Sequence, residues 1–314
     1  MKIIVTGALG HIGSRLIRDL PVSFPTSEIV MIDNMSAKRY ISLFELPDGC
    51  NYRFIEGDVL KLDLAEIFKD ADLVIHLAAI TDAAGSFEIK DLIEHHNFSA
   101  TEKVANACIY SNCAMIHFSS TSVYGTQHEL VSEECSIDEL KPQSPYAETK
   151  MKEEDLLAKL AKNESLQYSL FRFGTICGVS KGMRFHTAVN KFCWQAALGQ
   201  PLSVWRTALH QNRPYLTLTD AVNAIVFVIE NKLFNSKIYN VLTDNFTVND
   251  IVENIRKYIN PVHINYVDAE IMNQLSYEVC NRKFIKEGFK YSGSISDSIR
   301  KTIDLLENAH HLDV

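Results

Sequence analysis

An apolar run at the N-terminus leads directly into three glycines spaced three residues apart. The run spans residues 3–5, and the turn that follows holds Gly7, Gly10, His11, Ile12 and Gly13 in the order G-x-x-G-x-x-G. A buried strand that enters a glycine-rich turn and then a helix presents backbone N–H groups to an anion. This arrangement is typical of a site for the pyrophosphate of a dinucleotide. Because such glycines also occur in ordinary turns, the next predicted strand is needed to distinguish a dinucleotide site from a simple turn.

A second apolar run ends in a carboxylate at the spacing that a dinucleotide site requires. Residues 28–32 form the run, and Asp33 follows it, twenty positions after Gly13. An acidic side chain at this strand end accepts hydrogen bonds from the adenosine ribose hydroxyls and repels the 2′-phosphate of NADP. The sequence therefore favours NAD. Lys38 and Arg39 are able to neutralise such a phosphate, but two basic residues in a polar loop are expected to be solvated.

The composition is that of an ordinary globular protein, and it narrows the possible partners. Of 314 residues, 46% are hydrophobic and 22% are charged, and the net charge of −8 argues against a general nucleic-acid or membrane-surface binder. Because the first predicted strand begins at residue 2 and no apolar run approaches ~18 residues, we expect neither a signal peptide nor a membrane span. Seven cysteines without a C-x-x-C pair indicate reduced thiols, so we expect a cytoplasmic protein without a metal site.

Strands and helices alternate along the chain after Asp33. Predicted strands span 52–59, 72–79 and 115–120, and predicted helices span 63–70 and 86–112. This order predicts an α/β fold with a Rossmann doubly wound parallel sheet, whose ligands lie at the carboxyl ends of the strands. Beyond about residue 175 the alternation loosens. We therefore expect a Rossmann domain at 1–174 and a smaller C-terminal substrate-binding lobe at 175–314, with some elements crossing between the two.

Three residues with catalytic chemistry lie at a strand end and at the start of a long helix. Ser120 ends the 115–120 strand, and Tyr146 and Lys150 are four residues apart, so their side chains share one helix face. A phenol with a pKa near 10 serves as a base at neutral pH only if its phenolate is stabilised by roughly 4 kcal/mol, which a nearby ammonium and an oxidised nicotinamide can supply. Tyr146 is then the proton acceptor for a substrate hydroxyl that Ser120 positions. Taken alone, the pair is also compatible with a packed aromatic beside a solvated lysine.

These motifs occur together in the order of a known family. Further matching segments are Asp58-Val59, His76-Leu77-Ala78-Ala79, Asn97 and Gln211-Asn212-Arg213-Pro214-Tyr215. Over nearly its whole length the chain resembles the extended short-chain dehydrogenases/reductases, specifically the NAD-dependent nucleotide-sugar epimerase/dehydratase branch. The resemblance implies an NAD that is retained through the catalytic cycle. Its expected contacts beyond the glycine turn are Asp33, Asn34, Asp58, Val59, Leu77, Ala78, Ala79, Asn97, Tyr146 and Lys150.

The resemblance also implies a nucleoside-diphosphate sugar as substrate and a homodimer. Arg213 is expected on the diphosphate with Arg184 beside it, because guanidinium groups suit phosphate oxygens, although either arginine is also compatible with a surface ion pair. The expected substrate contacts are Thr81, Ser120, Thr121, Ser122, Thr175, Arg184, Asn190 and Arg213. Helices near 86–112 and 146–163 are expected to form an intersubunit four-helix bundle, and their apolar positions that face either the partner or the sheet are Val104, Cys108, Leu156 and Leu160.

Departures from the family pattern narrow the reaction. The family's 4,6-dehydratases carry an Asp-Glu pair after the catalytic Ser or Thr, where this chain has Thr121-Ser122, and the related decarboxylases carry Glu at the position of Ser122. Because hydroxyls cannot replace a carboxylate acid–base pair, dehydration and decarboxylation are disfavoured. Thr175 replaces an asparagine of the epimerases. Cys177 lies nearby, and we prefer a buried structural role for it over protonation of a sugar carbon.

The sequence therefore predicts NAD-dependent oxidoreduction at C4 of a nucleotide sugar, with a 4-epimerase as the leading hypothesis. A 4-dehydrogenase or 4-ketoreductase uses the same residues without returning hydride to the opposite face, and the sequence does not separate these reactions. A non-catalytic NAD-binding regulator is a third alternative, although a regulator has no need of Tyr146 and Lys150.

Overall fold

The structure is a computed structural model that describes residues 1–81, 87–125, 130–268 and 276–309. The strands in chain order are β1 (Lys2–Thr6), β2 (Glu28–Asp33), β3 (Asn51–Glu56), β4 (Leu73–His76), β5 (Ala114–Ser120), β6 (Leu130–Val131), β7 (Tyr168–Phe173), β8 (Thr175–Cys177), β9 (Leu202–Trp205), β10 (Asn212–Thr217), β11 (Ile238–Val241), β12 (Asp244–Thr247), β13 (Ile264–Val267) and β14 (Glu278–Val279). The α-helices are α1 (His11–Ser23), α2 (Leu64–Ile67), α3 (Lys90–Ile93), α4 (Ser99–Ser111), α5 (Pro145–Glu164), α6 (Ala188–Ala197), α7 (Leu218–Glu230), α8 (Val248–Arg256), α9 (Arg282–Lys286) and α10 (Ile295–Asp304).

Seven parallel strands form the main sheet, in the spatial order β11–β7–β5–β4–β1–β2–β3. The strand order reverses between β1 and β4, and ligands of such sheets bind outside the carboxyl ends of the strands at this switch point. The predicted Rossmann doubly wound sheet is therefore confirmed. In the part of the chain that the structure describes, no helix is both long and apolar enough to cross a bilayer.

Helices cover both faces of the main sheet because its strands alternate their side chains between two apolar clusters. Ile3 and Val5 of β1 pack with α1 and α7, whereas Ile4 packs on the opposite face with α2, α4 and α5. All three side chains have no exposed surface. A two-residue period with both faces buried is what a continuous apolar strand of a parallel sheet requires.

Two of the predicted strands end earlier than the sequence pattern indicated. β3 stops at Glu56 rather than at residue 59, because the Asp58 carboxylate accepts a hydrogen bond from the backbone N–H of Leu60 at 3.0 Å and turns the chain. β4 stops at His76 rather than at residue 79, and the N–H of Ala78 donates to the side-chain hydroxyl of Thr6 at 3.3 Å instead of to a backbone carbonyl of β1. Both strands thus end at the carboxyl edge of the sheet, where the backbone N–H groups of Gly57 and Leu77 still donate to Asp33 and Thr6 of the neighbouring strands.

The long helix predicted at 86–112 contains a π turn, and residues 82–86 lie outside the described part of the chain. The π turn, Glu94–Phe98, joins α3 to α4. Asn97 in this turn is 1% exposed, and its amide binds both the N–H and the C=O of Ile80 at 2.8 and 2.9 Å. π turns are frequent at functional sites, and this one holds the segment that follows β4. The hydrophobic pattern alone did not reveal it.

Smaller sheets and three helices form a second lobe. β8, β10 and β12 make one sheet, β9 pairs with β13, and α6, α8 and α10 pack around a separate apolar cluster. Two elements that follow residue 174 nevertheless belong to the main sheet: β11 is its edge strand, and α7 packs against α1. The division into 1–174 and 175–314 remains a prediction, with α7 and β11 as crossing elements.

The start of α1 joins the second lobe through three hydrogen bonds. His11 Nε2 donates to the carbonyl of Gly178 at 2.8 Å, Ser180 Oγ donates to the carbonyl of His11 at 2.8 Å, and the N–H of Gly182 donates to Ser14 Oγ at 2.8 Å. A Cβ at Gly182 would lie 2.2 Å from a backbone oxygen of the glycine turn. The loop after β8 is therefore held directly against that turn.

Candidate active site

A cavity of about 340 Å³ opens at the carboxyl ends of β1, β2 and β4, at the switch point of the sheet. Twelve of the residues predicted to contact the cofactor line it together: Gly7, Gly10, His11, Ile12, Gly13, Asp33, Asn34, Asp58, Val59, Leu77, Ala78 and Ala79. Two residues predicted to contact the substrate, Thr81 and Arg184, also line this cavity. The sequence argument therefore identified most of the wall of one continuous site.

The glycine turn forms its floor, and two of its glycines leave no space for a side chain. Gly7 has a left-handed φ of 66°, and a Cβ there would lie 2.7 Å from the backbone nitrogen of Ala78. A Cβ at Gly13 would lie 2.5 Å from the carbonyl oxygen of Gly7. Gly10 precedes the first residue of α1, whose first turn has no acidic side chain. The turn thus offers bare backbone and the positive end of a helix, which fits the pyrophosphate of a dinucleotide.

Asp33 is held in a fixed orientation at the edge of the cavity. Its Oδ2 accepts the N–H of Leu9 and its Oδ1 accepts the N–H of Met35, both at 3.0 Å. The two backbone donors fix the carboxylate at the cavity edge, which suits hydrogen bonding to ribose hydroxyls. Arg39, expected to be solvated, is half-buried in the cavity wall, with Nη1 3.8 Å from the Cβ position of Gly10. Burial lowers its pKa, although Asp33 opposes this.

Several other residues that line the cavity were not predicted from the sequence, and the folding of loops explains why. They are Ile32, Ser36, Ala37, Arg39, Gly57, Ile80, Leu92, His96 and Ile176. His96 comes from the π turn, and its Nε2 lies 3.7 Å from Asp58 Oδ2. Left-handed φ values of 57° at Met35 and 51° at Lys38 fold the loop after β2 back over the turn. Neither feature produces a hydrophobic period that a sequence pattern could reveal.

Asn97 does not line the cavity, although it was predicted to bind the cofactor. Its amide is occupied by both polar atoms of the Ile80 backbone, behind the cavity wall. The residue fixes the position of Ile80, which does line the cavity. Its contribution is thus to hold the wall rather than to form it.

The end of β5 presents one serine and buries its neighbour. Ser120 is half-buried, and its Oγ accepts hydrogen bonds from the hydroxyl and the N–H of Ser122 at 2.9 and 3.2 Å. Thr121 was expected to contact the substrate, but it is 2% exposed and donates to the carbonyl of Phe173 at 3.3 Å. Its hydroxyl also lies 3.4 Å from that of Tyr277. Of the two residues after Ser120, the structure therefore leaves only Ser122 partly accessible.

α5 places the predicted catalytic tyrosine and lysine on one face. Ser144 caps the helix by accepting the N–H of Ala147 at 3.2 Å, and α5 packs against β5 and the turn that follows it. Tyr146 is half-buried, and Lys150 Nζ lies 5.8 Å from the centre of its ring. Neither residue lines the cavity described above. Lys150 is 3% exposed, and its ammonium donates to Glu153 Oε2 at 2.7 Å.

The charge state of this pair follows from its surroundings. Burial lowers the pKa of Lys150, but the carboxylate of Glu153 and the phenol of Tyr146 more than offset it, so the net pKa is raised. Burial raises the pKa of Glu153, and the ammonium of Lys150 overcomes this and lowers it to about 2. Lys150 is therefore an ammonium and Glu153 a carboxylate at neutral pH. Glu153 was not among the predicted site residues, because a glutamate in a helix is normally solvated.

The other predicted substrate residues take different positions. Asn190 is fully buried, where it accepts the N–H of Gly178 at 3.2 Å and donates to the carbonyl of Arg184 at 3.0 Å, so it supports the loop and is not accessible to a ligand. Arg184 donates to the Thr81 hydroxyl. Thr175 is half-buried in β8. Arg213 is half-buried, with its guanidinium 5.9 Å from the centre of the Trp205 ring.

Cys177 packs in the apolar cluster of the second lobe and has no exposed surface. Burial raises the pKa of its thiol to about 12, so it holds its proton at neutral pH. These observations agree with the structural role preferred from the sequence. They give no support to an acid–base role in a 3,5-epimerisation.

Comparison with known proteins identifies the family. The model of the NAD dependent epimerase/dehydratase family matches residues 3–241. The chain belongs to this family. It is 30% identical over 239 residues to a Bacillus subtilis protein described as the uncharacterized UDP-glucose epimerase YtcB, with 73% of this chain and 72% of that protein covered. The resemblance to extended short-chain dehydrogenases/reductases and the predicted cofactor, NAD, are thereby confirmed.

Two further relatives differ in their reactions. A structure of UDP-glucuronic acid 4-epimerase from Bacillus cereus, in complex with UDP-glucuronic acid and NAD, is similar with a TM-score of 0.88 and 26% identity, and covers 98% of this chain and 99% of that one. A trifunctional UDP-glucose 4,6-dehydratase/3,5-epimerase/reductase of Arabidopsis thaliana is 26% identical over 314 residues. That match covers 96% of this chain, which spans only 46% of the plant enzyme. Family membership alone therefore does not decide between epimerase and dehydratase.

Proposed function

We propose that the protein is an NAD-dependent 4-epimerase of a nucleoside-diphosphate sugar. The observation that carries the proposal is the position of Ser120, Tyr146 and Lys150 on β5 and α5, next to a dinucleotide site, with no carboxylate among the five residues after Ser120. A bound NAD would supply the acceptor for the C4 hydride and, for epimerisation, its return to the opposite face of the C4 ketone. The chain itself must then move one proton and hold the sugar.

Tyr146 is the group that takes the proton from the C4 hydroxyl. A phenol serves as a base at pH 7 only if its phenolate is stabilised by roughly 4 kcal/mol relative to water. The Lys150 ammonium, 5.8 Å from the ring, stabilises the phenolate in a partly buried setting. When the ketone is reduced again, the same phenol returns the proton to the C4 oxygen, so the cycle is balanced. Ser120 supplies a hydrogen bond to that oxygen.

The residues after Ser120 support epimerisation rather than dehydration. Elimination of water needs an acid and a base, and the chain offers Thr121 and Ser122 instead of carboxylates. Thr121 is also turned into the protein. A hydroxyl near neutral pH neither gains nor loses a proton readily, so a 4,6-dehydratase reaction has no proton donor or acceptor at this position.

Arginines on the second lobe support an anionic substrate. Arg184 and Arg213 come from the loop after β8 and from β10, and guanidinium groups bind phosphate or carboxylate oxygens in a bidentate manner. The Bacillus cereus neighbour holds UDP-glucuronic acid, so we take this compound as the first substrate to test. UDP-glucose and UDP-N-acetylglucosamine, whose sugars carry no carboxylate, serve as comparisons.

The decisive experiment incubates the purified protein with each sugar nucleotide and determines the C4 configuration of the product by NMR. We expect the C4 epimer to form without net change in NADH absorbance. Accumulation of NADH and a 4-keto sugar without an epimer would instead indicate a 4-dehydrogenase, and consumption of added NADH with a 4-keto sugar as substrate would indicate a 4-ketoreductase. Binding of NAD with no turnover on UDP-, GDP-, CDP- and dTDP-sugars would favour a non-catalytic regulator.

We also propose that the protein is a cytoplasmic homodimer. Its seven cysteines are all free thiols, which fits a reducing compartment. The helices α4 and α5 lie side by side as a bundle requires, but Val104, Cys108 and Leu160 pack into the sheet core rather than toward a partner. Any interface must use outward residues such as Tyr110, which is 79% exposed. We expect sedimentation equilibrium to give a dimer that Tyr110→Glu weakens, and a monomer at micromolar concentration would contradict this.

A further inference from the structure

Three ionisable side chains meet in the protein interior behind the Tyr146–Lys150 pair. They are Lys150 and Glu153 of α5 and His117 of β5, which are 3%, 0% and 1% exposed. Glu153 Oε2 accepts a hydrogen bond from Lys150 Nζ at 2.7 Å and another from His117 Nε2 at 2.8 Å. Burial of a charge is costly unless it is paired and hydrogen-bonded, so this glutamate has to be explained.

The imidazole acts as a neutral donor that fixes the carboxylate. Burial lowers the pKa of His117 despite its contact with Glu153, so it is uncharged at neutral pH. Because Nε2 faces a carboxylate, the proton is on Nε2, and Nδ1 has no partner among the described residues. His76, the neighbour of His117 across β4 and β5, stacks on it at 5.7 Å, and burial likewise lowers its pKa. The two histidines therefore add no positive charge.

Among the residues that the structure describes, Glu153 is the one carboxylate hydrogen-bonded to Lys150. The next residue, Glu154, lies close enough to act on Lys150, but its carboxylate is taken by the guanidinium of Arg172 at 2.6 and 3.0 Å. Tyr146 is the remaining group that favours the charged lysine. The groups around Lys150 are thus Tyr146, Glu153 and Glu154 of α5, His117 of β5, His76 of β4 and Arg172 of β7.

We propose that Glu153 is a positioning residue for catalysis: held by His117, its carboxylate keeps the buried Lys150 charged and fixes its ammonium next to Tyr146. An ammonium in a fully buried site without a counter-ion has its pKa lowered by up to 3–5 units, and the neutral amine that results cannot stabilise a phenolate. The carboxylate also reduces the positive field at Tyr146. The benefit of the carboxylate is therefore that Lys150 stays protonated through the working pH range, and not that the positive field at Tyr146 becomes stronger.

The inference rests on the proposed role of the Tyr146–Lys150 pair, so its main test needs no substrate. In the NAD-loaded protein the Lys150 amine is followed by NMR of isotope-labelled lysine, with Lys150→Met used for assignment. The Tyr146 phenolate is followed by ultraviolet absorbance, as the difference between the protein and its Tyr146→Phe variant, because the chain has 12 tyrosines. Each titration is compared with that of Glu153→Gln, which keeps the shape and removes the charge.

In Glu153→Gln we expect the pH at which Lys150 is half-titrated to fall by at least about two units, and that of Tyr146 to rise. The matched control is Asp155→Asn, an exposed carboxylate on the same helix that pairs with Lys159, and it should change neither. Unchanged Lys150 and Tyr146 titrations in a folded Glu153→Gln protein would overturn the proposal and leave Glu153 a packing residue. Glu153→Asp, which keeps the charge but not the reach, should fall between the two.

Should Glu153→Gln fail to fold, the unaltered holoenzyme decides. Lys150 should then remain protonated beyond the ordinary lysine value of about 10.4, and titration below about 9 would overturn the proposal. Where a substrate is turned over, the pH range in which kcat is high should also be narrower in Glu153→Gln, at both its acidic and its alkaline limit, with little change in KM. If the unaltered protein turns over no sugar nucleotide while Lys150 and Tyr146 titrate as expected, the proposed function is refuted. If it does turn over a substrate but Glu153→Gln leaves both titrations unshifted, only the role of Glu153 is refuted.

Discussion

The dinucleotide end and the catalytic end of the site depend on different kinds of atoms. At the dinucleotide end the decisive atoms are backbone: the glycine turn, the start of α1 and the N–H groups that hold Asp33. At the catalytic end they are side chains: a phenol, an ammonium and a carboxylate that depend on one another's charge. Backbone geometry is fixed by where glycines stand, whereas a charge network depends on burial that only the fold provides. Substitutions should therefore separate the two ends cleanly.

The largest expected effect lies at the catalytic end. Tyr146→Phe deletes one partly exposed hydroxyl, and if the phenolate is the base, kcat should fall by roughly 10²–10⁴-fold. The affinity for NAD, measured by calorimetry, should not change, since Tyr146 does not line the dinucleotide cavity. Near-normal turnover on the true substrate would remove Tyr146 from the mechanism, and loss of NAD affinity would show that the two ends are not separate.

Gly7→Ala, in contrast to Tyr146→Phe, should act mainly on the affinity for NAD. A left-handed φ costs a non-glycine residue about 1–2 kcal/mol, and the 2.7 Å approach to Ala78 adds about 1–3 kcal/mol of crowding. We expect NAD affinity to drop roughly 10–100-fold and the free energy of unfolding to fall. The matched control is Gly49→Ala, which has a φ of 76° but nothing within 4 Å of its Cβ. Equal effects at the two glycines would show that crowding against Ala78, in the segment after β4, is unimportant.

These two ends also differ in how far the sequence predicts them. Gly7, Gly13 and Asp33 follow apolar runs at fixed spacings, and because the constraint is local, the sequence identified the sheet and most of the cavity wall. Glu153 and His117 carry no such signal, since a helical glutamate and a strand histidine are ordinary until both are buried. Arg39 and His96 were missed for a related reason: left-handed residues and a π turn fold them back toward the cavity.

Some of the expected ligand contacts fall on side chains that are buried in the protein. Thr121, Asn97 and Asn190 were expected to contact ligands, yet each is at most 2% exposed and binds the protein backbone. Their hydrogen bonds hold β7, Ile80 and the Arg184 loop. A sequence pattern does not distinguish a side chain that contacts a ligand from one that positions the contacting residue.

Asp33→Asn tests the one side chain on which the dinucleotide end relies. An amide has a single acceptor oxygen, so it cannot serve both Leu9 and Met35, and the ribose loses a charged acceptor. We expect about tenfold weaker NAD binding and a smaller preference for NAD over NADP. Asp58→Asn, which also lines the cavity but accepts one backbone N–H, should weaken NAD less and leave the preference unchanged. An unchanged preference in Asp33→Asn would show that Asp33 does not exclude the 2′-phosphate of NADP.

The smallest expected effect concerns the contact between the two lobes and its response to acid. Burial lowers the pKa of His11 to about 4, with nearby Arg184, Arg39 and His186 acting in the same direction, while its bond to Gly178 opposes the shift. Since the unfolded chain binds this proton near pH 6.5 and the folded protein does not, the unfolding free energy falls as the pH drops from about 6.5 to about 4.

His11→Gln keeps a donor for the Gly178 carbonyl but cannot bind that proton. Chemical denaturation at several pH values should therefore show an acid-side slope smaller by up to about 1.4 kcal/mol per pH unit, with almost no change at pH 7. His76 and His117 are also buried with lowered pKa values, so part of the slope should persist in the variant. An identical slope in the two proteins would mean that folding does not change the proton affinity of His11. The contact between the lobes would then not respond to acid through His11, and its burial at the dinucleotide end would have no electrostatic consequence.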